Sequence, residues 1–328
     1  MSFFELTRSI TNPALMFFLL GIIAVQLKSD LKVPESSSKF ITLYLLLSIG
    51  FKGGQELAHS SLSFEIIWSL ILGCFLASSV PILAFFLIRK KTGISNAAAI
   101  AASYGSVSAV TFVTAVSFLE MENVIFDGHM IAVMAMMEAP AIIIGVLLMR
   151  RFGESERQEG DPAPQSIAQT IYHSLTNGSV LMLLGSLIIG LMASESQAAG
   201  IKPFTTDLFK GFLALFLLDM GVTSGKHLSV VFKTGIFPFL FAGLMPFVNG
   251  LLALMLSLKI TDSTGNQLLF AILGASASYI AVPAAMKQAI PRANPSLYLP
   301  MALGITFPIN VMIGIPFYYF LIQYMGAS

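Results

Sequence analysis

Two short stretches set inside apolar segments hold the side chains best suited to binding an ion. One is Gly105-Ser106-Val107-Ser108, with Thr111 one turn further on. The other is Ser276-Ala277-Ser278-Tyr279, offset from the first by 170 residues. Both are embedded in runs of Ala, Gly and Val that make poor lipid-facing helices. Small residues let backbones approach closely. Non-helical backbone at membrane depth persists only where protein buries it or where it lines an aqueous cavity. A break at the same place in both segments would aim two half-helix N-termini at one point, where free N–H groups and the positive dipole end suit an anion. Unwound carbonyls and Ser or Thr hydroxyls beside them are hard oxygen ligands for a small cation. Pro283, just past the second stretch, lacks an N–H and favours such a break. The plainer reading, two close-packed small-residue helices, loses ground because the pattern recurs.

Three ionisable groups also lie within or at the end of apolar segments. Glu138 precedes Ala139-Pro140 in the middle of 129–150, Asp219 lies inside 205–225, and Lys52 stands at the exit of 39–57. A charged side chain at the bilayer centre costs about 2.5–3.5 kcal/mol even on insertion scales, so such groups face the protein interior. Glu138 is a candidate to bind a coupling cation or to carry a proton; capping donors freed by Pro140 is the structural alternative. Asp219 is a second candidate ion ligand, although a structural pair with Lys52 is the favoured reading, since the two lie in equivalent segments. Asn310, set among Pro300, Thr306, Pro308 and Pro316, is a polar, inward-facing candidate. The kink at Pro140 aligns loosely with one at Pro308.

Other chemistries find no support. His59, His129, His173 and His227 fall in loops or at span ends without metal-ligand spacing. Cys74 is the single cysteine, so an internal disulfide is excluded. No nucleophile or phosphate-binding motif is present, and Gly50, Gly53 and Gly54 read as helix-packing glycines or a hinge. A net charge of +1 argues against a nucleic-acid partner. The chain is expected to be no enzyme.

The elements that must position these residues follow from composition. The chain is 56% hydrophobic and 11% charged, against about 25% charged in soluble domains, so lipid is its solvent. Ten apolar spans are expected, at 12–27, 39–57, 64–88, 95–119 and 129–150, then 179–194, 205–225, 230–257, 266–288 and 297–324. Leu46–Leu57 is echoed by Leu217–Leu228 at an offset of 171, close to the 170 of the serine motifs. The fold class is therefore an all-α membrane protein: ten transmembrane helices forming two inverted five-helix repeats, 1–150 and 167–328, with broken fourth and ninth helices. An odd number of spans per copy turns the second copy upside down, as in secondary transporters. A polar, Pro-containing linker, 151–166, joins them. Lys and Arg divide 13 against 5 between the two sides, which puts the linker in the cytoplasm and both termini outside.

The runs Tyr104-Gly105-Ser106-Val107-Ser108, Glu138-Ala139-Pro140, Ser276-Ala277-Ser278 and Ala289-Ile290-Pro291-Arg292-Ala293-Asn294-Pro295-Ser296, with Glu120 between the first two, resemble the sodium-dependent bicarbonate transporters first known from cyanobacteria. The resemblance extends over all ten spans. It implies a core and a gate domain each drawn from both repeats, a homotrimer in a bacterial inner membrane, and an anion and sodium bound where the broken helices cross. It implies that Gly105, Ser106, Ser108, Thr111, Ser276 and Ser278 line the site, and that Glu138 replaces the family's aspartate before Pro. Cyanobacterial members carry an aspartate where this chain has Tyr279, a weaker sodium ligand. They are also shut by a PII-like protein docking from the cytoplasm. The leading expectation is sodium-coupled, elevator-type uptake of bicarbonate or a similar small anion. The alternatives are a proton-coupled or uncoupled small-anion permease, and a membrane receptor that binds a ligand without moving it.

Overall fold

The structure, a computed structural model, describes residues 13–58, 63–153, 167–231 and 235–326. Arg8, His59, Lys233 and the linker from Glu154 to Ser166 lie outside the described residues. Regular structure among the described residues is all helical. The first half holds α1 (Pro13–Gln26), α2 (Glu35–Ala58), α3 (Phe64–Thr92), α4 (Ile94–Gly105), α5 (Ala109–Met121) and α6 (His129–Phe152). The second holds α7 (Ile167–Leu175), α8 (Gly178–Met192), α9 (Glu195–Lys202), α10 (Phe209–Val231), α11 (Ile236–Ser257), α12 (Thr264–Ala275), α13 (Ala281–Ala289) and a last helical run, α14 (Pro295–Gly326). Among the described residues six runs are long and apolar enough to cross a membrane: 64–92, 94–121, 129–152, 195–228, 236–257 and 295–326. α1 and α8 are shorter apolar helices.

Local chemistry sets several ends. Ser63 caps α3 by accepting from the Ile66 N–H, and Gly93, at φ 80°, lets the chain leave it. Arg89 in its last turn lies over the rings of Phe86 and Phe152, 4.6 and 5.4 Å from their centroids, while Arg89, Lys90 and Lys91 complement the negative end of the helix. The seventh segment begins earlier than its hydropathy suggested. Ser194 and Gln197 form a capping box that starts α9, and a π-helical turn, Pro203–Asp207, joins it to α10. In the last segment the prolines do not end the helix. Two π-helical stretches, Met301–Thr306 and Asn310–Gly314, carry the chain through.

Two helix pairs are joined backbone to backbone. A methyl group on Gly21 would overlap the Leu218 carbonyl, and one on Gly221 the Phe18 carbonyl, so α1 lies directly on α10. Gly54 and Gly190 do the same for α2 and α8 through the Leu187 and Phe51 carbonyls. Gly50 stands 171 residues before Gly221, and both lie against a neighbouring carbonyl, those of Leu183 and Phe18, so this repeated glycine serves the same close approach in both halves. Beside these pairs α3 packs on α4 and α6, and α11 on α12, around a continuous apolar core.

Candidate functional site

Both serine stretches interrupt helices. α4 ends with the Ser106 N–H on the Ala102 carbonyl at 3.0 Å. Ser106 and Ser108 are extended, and Ser108 then caps α5, its hydroxyl accepting from the Thr111 N–H at 3.2 Å. α12 ends at an extended Ser276, and α13 starts at Ala281. Pro283 sits in the first turn of α13, where a missing N–H costs no helical bond. In a helix running on unbroken from Ser276 its ring would clash with the Tyr279 carbonyl, so Pro283 favours a break just before it.

The two breaks hold each other. The Ser278 N–H donates to the Ser103 carbonyl at 2.8 Å, and the Ser103 hydroxyl donates to the Ser278 carbonyl at 2.5 Å. The Ser108 N–H donates to the Ser276 hydroxyl at 3.1 Å, which itself donates to the Leu273 carbonyl. Non-helical backbone at this depth needs such partners. Ser103, Ser106, Ser108, Ser276 and Ser278 are all buried.

A pocket opens beside the crossing. It is lined by Thr42 and Leu46 of α2, Val107 and Ser108 of the first break, Ala109 of α5, Glu138 of α6, Ser179 of α8, Ser278, Tyr279 and Ile280 of the second break, and Ala281 of α13. Glu138 is its acid. Only 8% exposed, it has an Oε2 without a hydrogen-bond partner. A buried carboxylate so placed calls for a counter-charge, either a metal cation or a proton. The Tyr279 hydroxyl faces Ser108 and lies 3.8 Å from the Met220 sulfur. Its ring meets Phe307 edge to face.

The remaining candidates divide. Gly105 packs against the Pro81 ring, where a methyl would not fit. The Ser106 and Thr111 hydroxyls are buried without partners, close to the crossing but outside the pocket lining. Asn310 donates from Nδ2 to the Ala275 carbonyl at 2.7 Å, holding the end of α12, while its Oδ1 is unpartnered. Asp219 is not in the pocket lining. Its Oδ2 accepts from the Ser38 hydroxyl at 2.5 Å, and Lys52 pairs instead with Glu120 at 2.6 Å. The expected Asp219–Lys52 pair is therefore absent. Ser38 precedes Lys52 by fourteen positions along α2, about 21 Å at 1.5 Å per residue, so equivalent segments put the two charges at opposite ends.

Sequence reasoning missed Ser103, Thr42 and Ser179. Ser103 was detectable as a further serine one turn before Ser106. Thr42 and Ser179 carry no signal, since the crossing is brought to them by packing of helices distant in sequence. His129 does approach Glu65 and Asp127, their ligand atoms within 4.8 Å of one another. The Asn266 amide stands among the carboxylates, donating to Glu65 at 3.1 Å and to Asp127 at 2.5 Å, and its oxygen accepts from the Asp127 N–H at 2.9 Å. A neutral donor thus already satisfies the position a cation would take.

Long apolar helices around a buried crossing of broken ones, with a lone carboxyl and several hydroxyls beside it, define a multi-pass membrane protein with an internal site of ionic dimensions. The chain belongs to the Na+-dependent bicarbonate transporter superfamily, whose family model matches residues 13–323. No curated protein matches the chain.

Proposed function

We propose that this protein is a sodium-coupled importer of bicarbonate or a similar small anion, working by alternating access. The anion sits at the crossing, against Ser108, Ser278 and the start of α5, and a cation beside Glu138 offsets the carboxylate. What carries the reading is the Glu138 carboxyl, one oxygen of it buried and unpartnered, in a pocket that both serine breaks also line. An anion would be repelled by a bare carboxylate, so its binding favours that of a cation in the same pocket. In this reading the chain crosses the membrane ten times as two inverted repeats. The broken-helix core moves against a scaffold of α1, α2, α8 and α10, and the linker is cytoplasmic. Assembly as a trimer and control by a PII-like protein belong to the same proposal.

The test is tracer bicarbonate uptake by purified protein in liposomes, with short carboxylates and sulfate as competitors. Accumulation should need external sodium and vanish when choline replaces it at fixed pH. Sodium-independent uptake that follows the proton gradient would instead assign the coupling to a proton on Glu138. That second reading is favoured by one observation: Glu138 is the one acid lining the pocket, where Tyr279 supplies only a phenol.

A further inference from the structure

Among the described residues there are two ion pairs, and one, Lys39 with Glu35, lies within a single turn of α2. The other joins Lys52 near the end of α2 to Glu120 near the end of α5, at 2.6 Å. We propose that Lys52 and Glu120 form a latch that shuts the path to the site at the end of the bundle where α2 finishes and α6 begins. The proposal rests on the transporter reading above, since a latch requires a part that moves.

The placement of the pair on its two helices supports this. α5 carries Ser108, its cap in the pocket, at one end and Glu120 twelve positions later, about 18 Å along the axis. α2 carries Thr42 in the pocket wall and Lys52 ten positions later, about 15 Å along. The pair thus closes the same two helices that flank the pocket, at their far end. The helices belong to different units. α2 is bound to α8 through Gly50 and Gly54, and Gln55 donates to the Gly190 and Ala193 carbonyls. Lys52 is therefore anchored to the α2–α8 pair, and its ammonium lies 5.7 Å from the Phe209 ring of α10. Glu120 is anchored to the crossing, because α5 grows out of the first break. A rigid core movement that displaces Ser108 also displaces Glu120.

The pair is built to part. Its side chains are 30% and 26% exposed, so water can take over their hydrogen bonds on separation. A fully buried pair would strand two charges instead. Glu56, one turn along α2, lies within electrostatic reach of both members of the pair. Ser117, one turn before Glu120 on α5, is buried.

Thiol accessibility tests the latch without relying on uptake. A cysteine at Ser117, in a Cys74→Ser background, should label slowly in the otherwise native protein and severalfold faster when Lys52→Gln is added. A cysteine at Thr42 should label severalfold more slowly in the same variant, because the pocket end closes as the latch end opens. The double reversal Lys52→Glu with Glu120→Lys should bring both rates back. If Lys52→Gln does not reach the membrane, Glu120→Gln removes the same pair from its other side. Unchanged rates at both positions would overturn the proposal. So would faster labelling at Ser117 alone, which is local loosening unconnected to the site. If the rates shift reciprocally in a protein that accumulates no anion, the latch stands and the proposed coupled uptake fails. If anions accumulate and the rates do not move, the reverse holds.

Discussion

The two helix breaks occupy matching places in the sequence repeat, yet their chemistry differs. The first is short, Ser106 to Ser108, and leaves a hydroxyl, a capping serine and the Glu138 carboxyl beside it. The second runs from Ser276 to Ile280. Its Ser278 backbone pairs with Ser103, the Ala275 carbonyl just before it accepts from Asn310, and its Tyr279 ring meets Phe307. The position 170 residues after Glu138 is Pro308, so no second acid answers the first. A repeat can thus supply a symmetric frame while its side chains make a one-sided site. Both breaks line the pocket, but its charge comes from the first half of the chain alone.

The largest effects should come from filling the crossing. Ser278→Leu would put an isobutyl group where a hydroxyl lines the pocket, and Ser106→Leu would put one at a fully buried position of the first break, outside the pocket lining. Liposome uptake should fall to background in both, with membrane abundance near normal. If Ser106→Leu keeps native uptake, the first break is packing alone and the comparison between breaks collapses. Next in size is Glu138→Gln. The amide keeps the shape and removes the charge, so sodium should no longer raise uptake or the thermal midpoint. If the variant keeps a full sodium response, the first break does not owe its cation to Glu138. A variant that exchanges anion without accumulating it, and without pH dependence, would mark Glu138 as a proton carrier.

The extent to which this site is legible in sequence follows from the same contrast. Ser, Gly and Ala runs are visible because they are too polar and too small to face lipid, and their recurrence at offsets of 170 and 171 separates them from chance. The site's acid is visible because a carboxylate in an apolar run needs a reason. Tertiary pairing is not visible. Equivalent segments suggest that Asp219 meets Lys52, but α10 lies along α1 and brings Asp219 to Ser38 instead. Thr42 and Ser179 are ordinary polar residues until packing carries the crossing to them. The start of the seventh helical run is hidden because a capping box and a π-helical turn, both polar, extend it past its apolar stretch.

A smaller effect is expected at Asn310. Its Nδ2 satisfies a carbonyl freed by the end of α12, and removing a partner from a buried polar group costs about 1–3 kcal/mol. Asn310→Ala should lower the thermal midpoint in detergent without abolishing sodium-stimulated uptake. Asn310→Asp keeps an oxygen but loses the donor, so it should be no more stable than the alanine variant. If Asn310→Ala removes the sodium response while the midpoint is unchanged, Asn310 is an ion ligand through Oδ1, and the second break shares the cation after all.

The smallest effect should fall on Tyr279. Its hydroxyl contacts a thioether at 3.8 Å and the Ser108 side chain, both weak partners, while its ring is held edge to face by Phe307. Tyr279→Phe keeps the ring and gives up roughly 0.5–1 kcal/mol of hydrogen bonding, a change of roughly two- to fivefold in apparent anion affinity. Tyr279→Asp poses the sharper question. A second carboxylate would stand in the same pocket as Glu138, and two like charges in one confined space demand an additional cation or proton. If coupling depends only on charge count, uptake by this variant should rise more steeply with sodium than in the native protein. If steepness is unchanged while uptake survives, the second break contributes geometry alone. If uptake is lost and a neutral Tyr279→Asn retains it, the excess charge is the cause, and the one-sidedness of the site is a requirement of its chemistry.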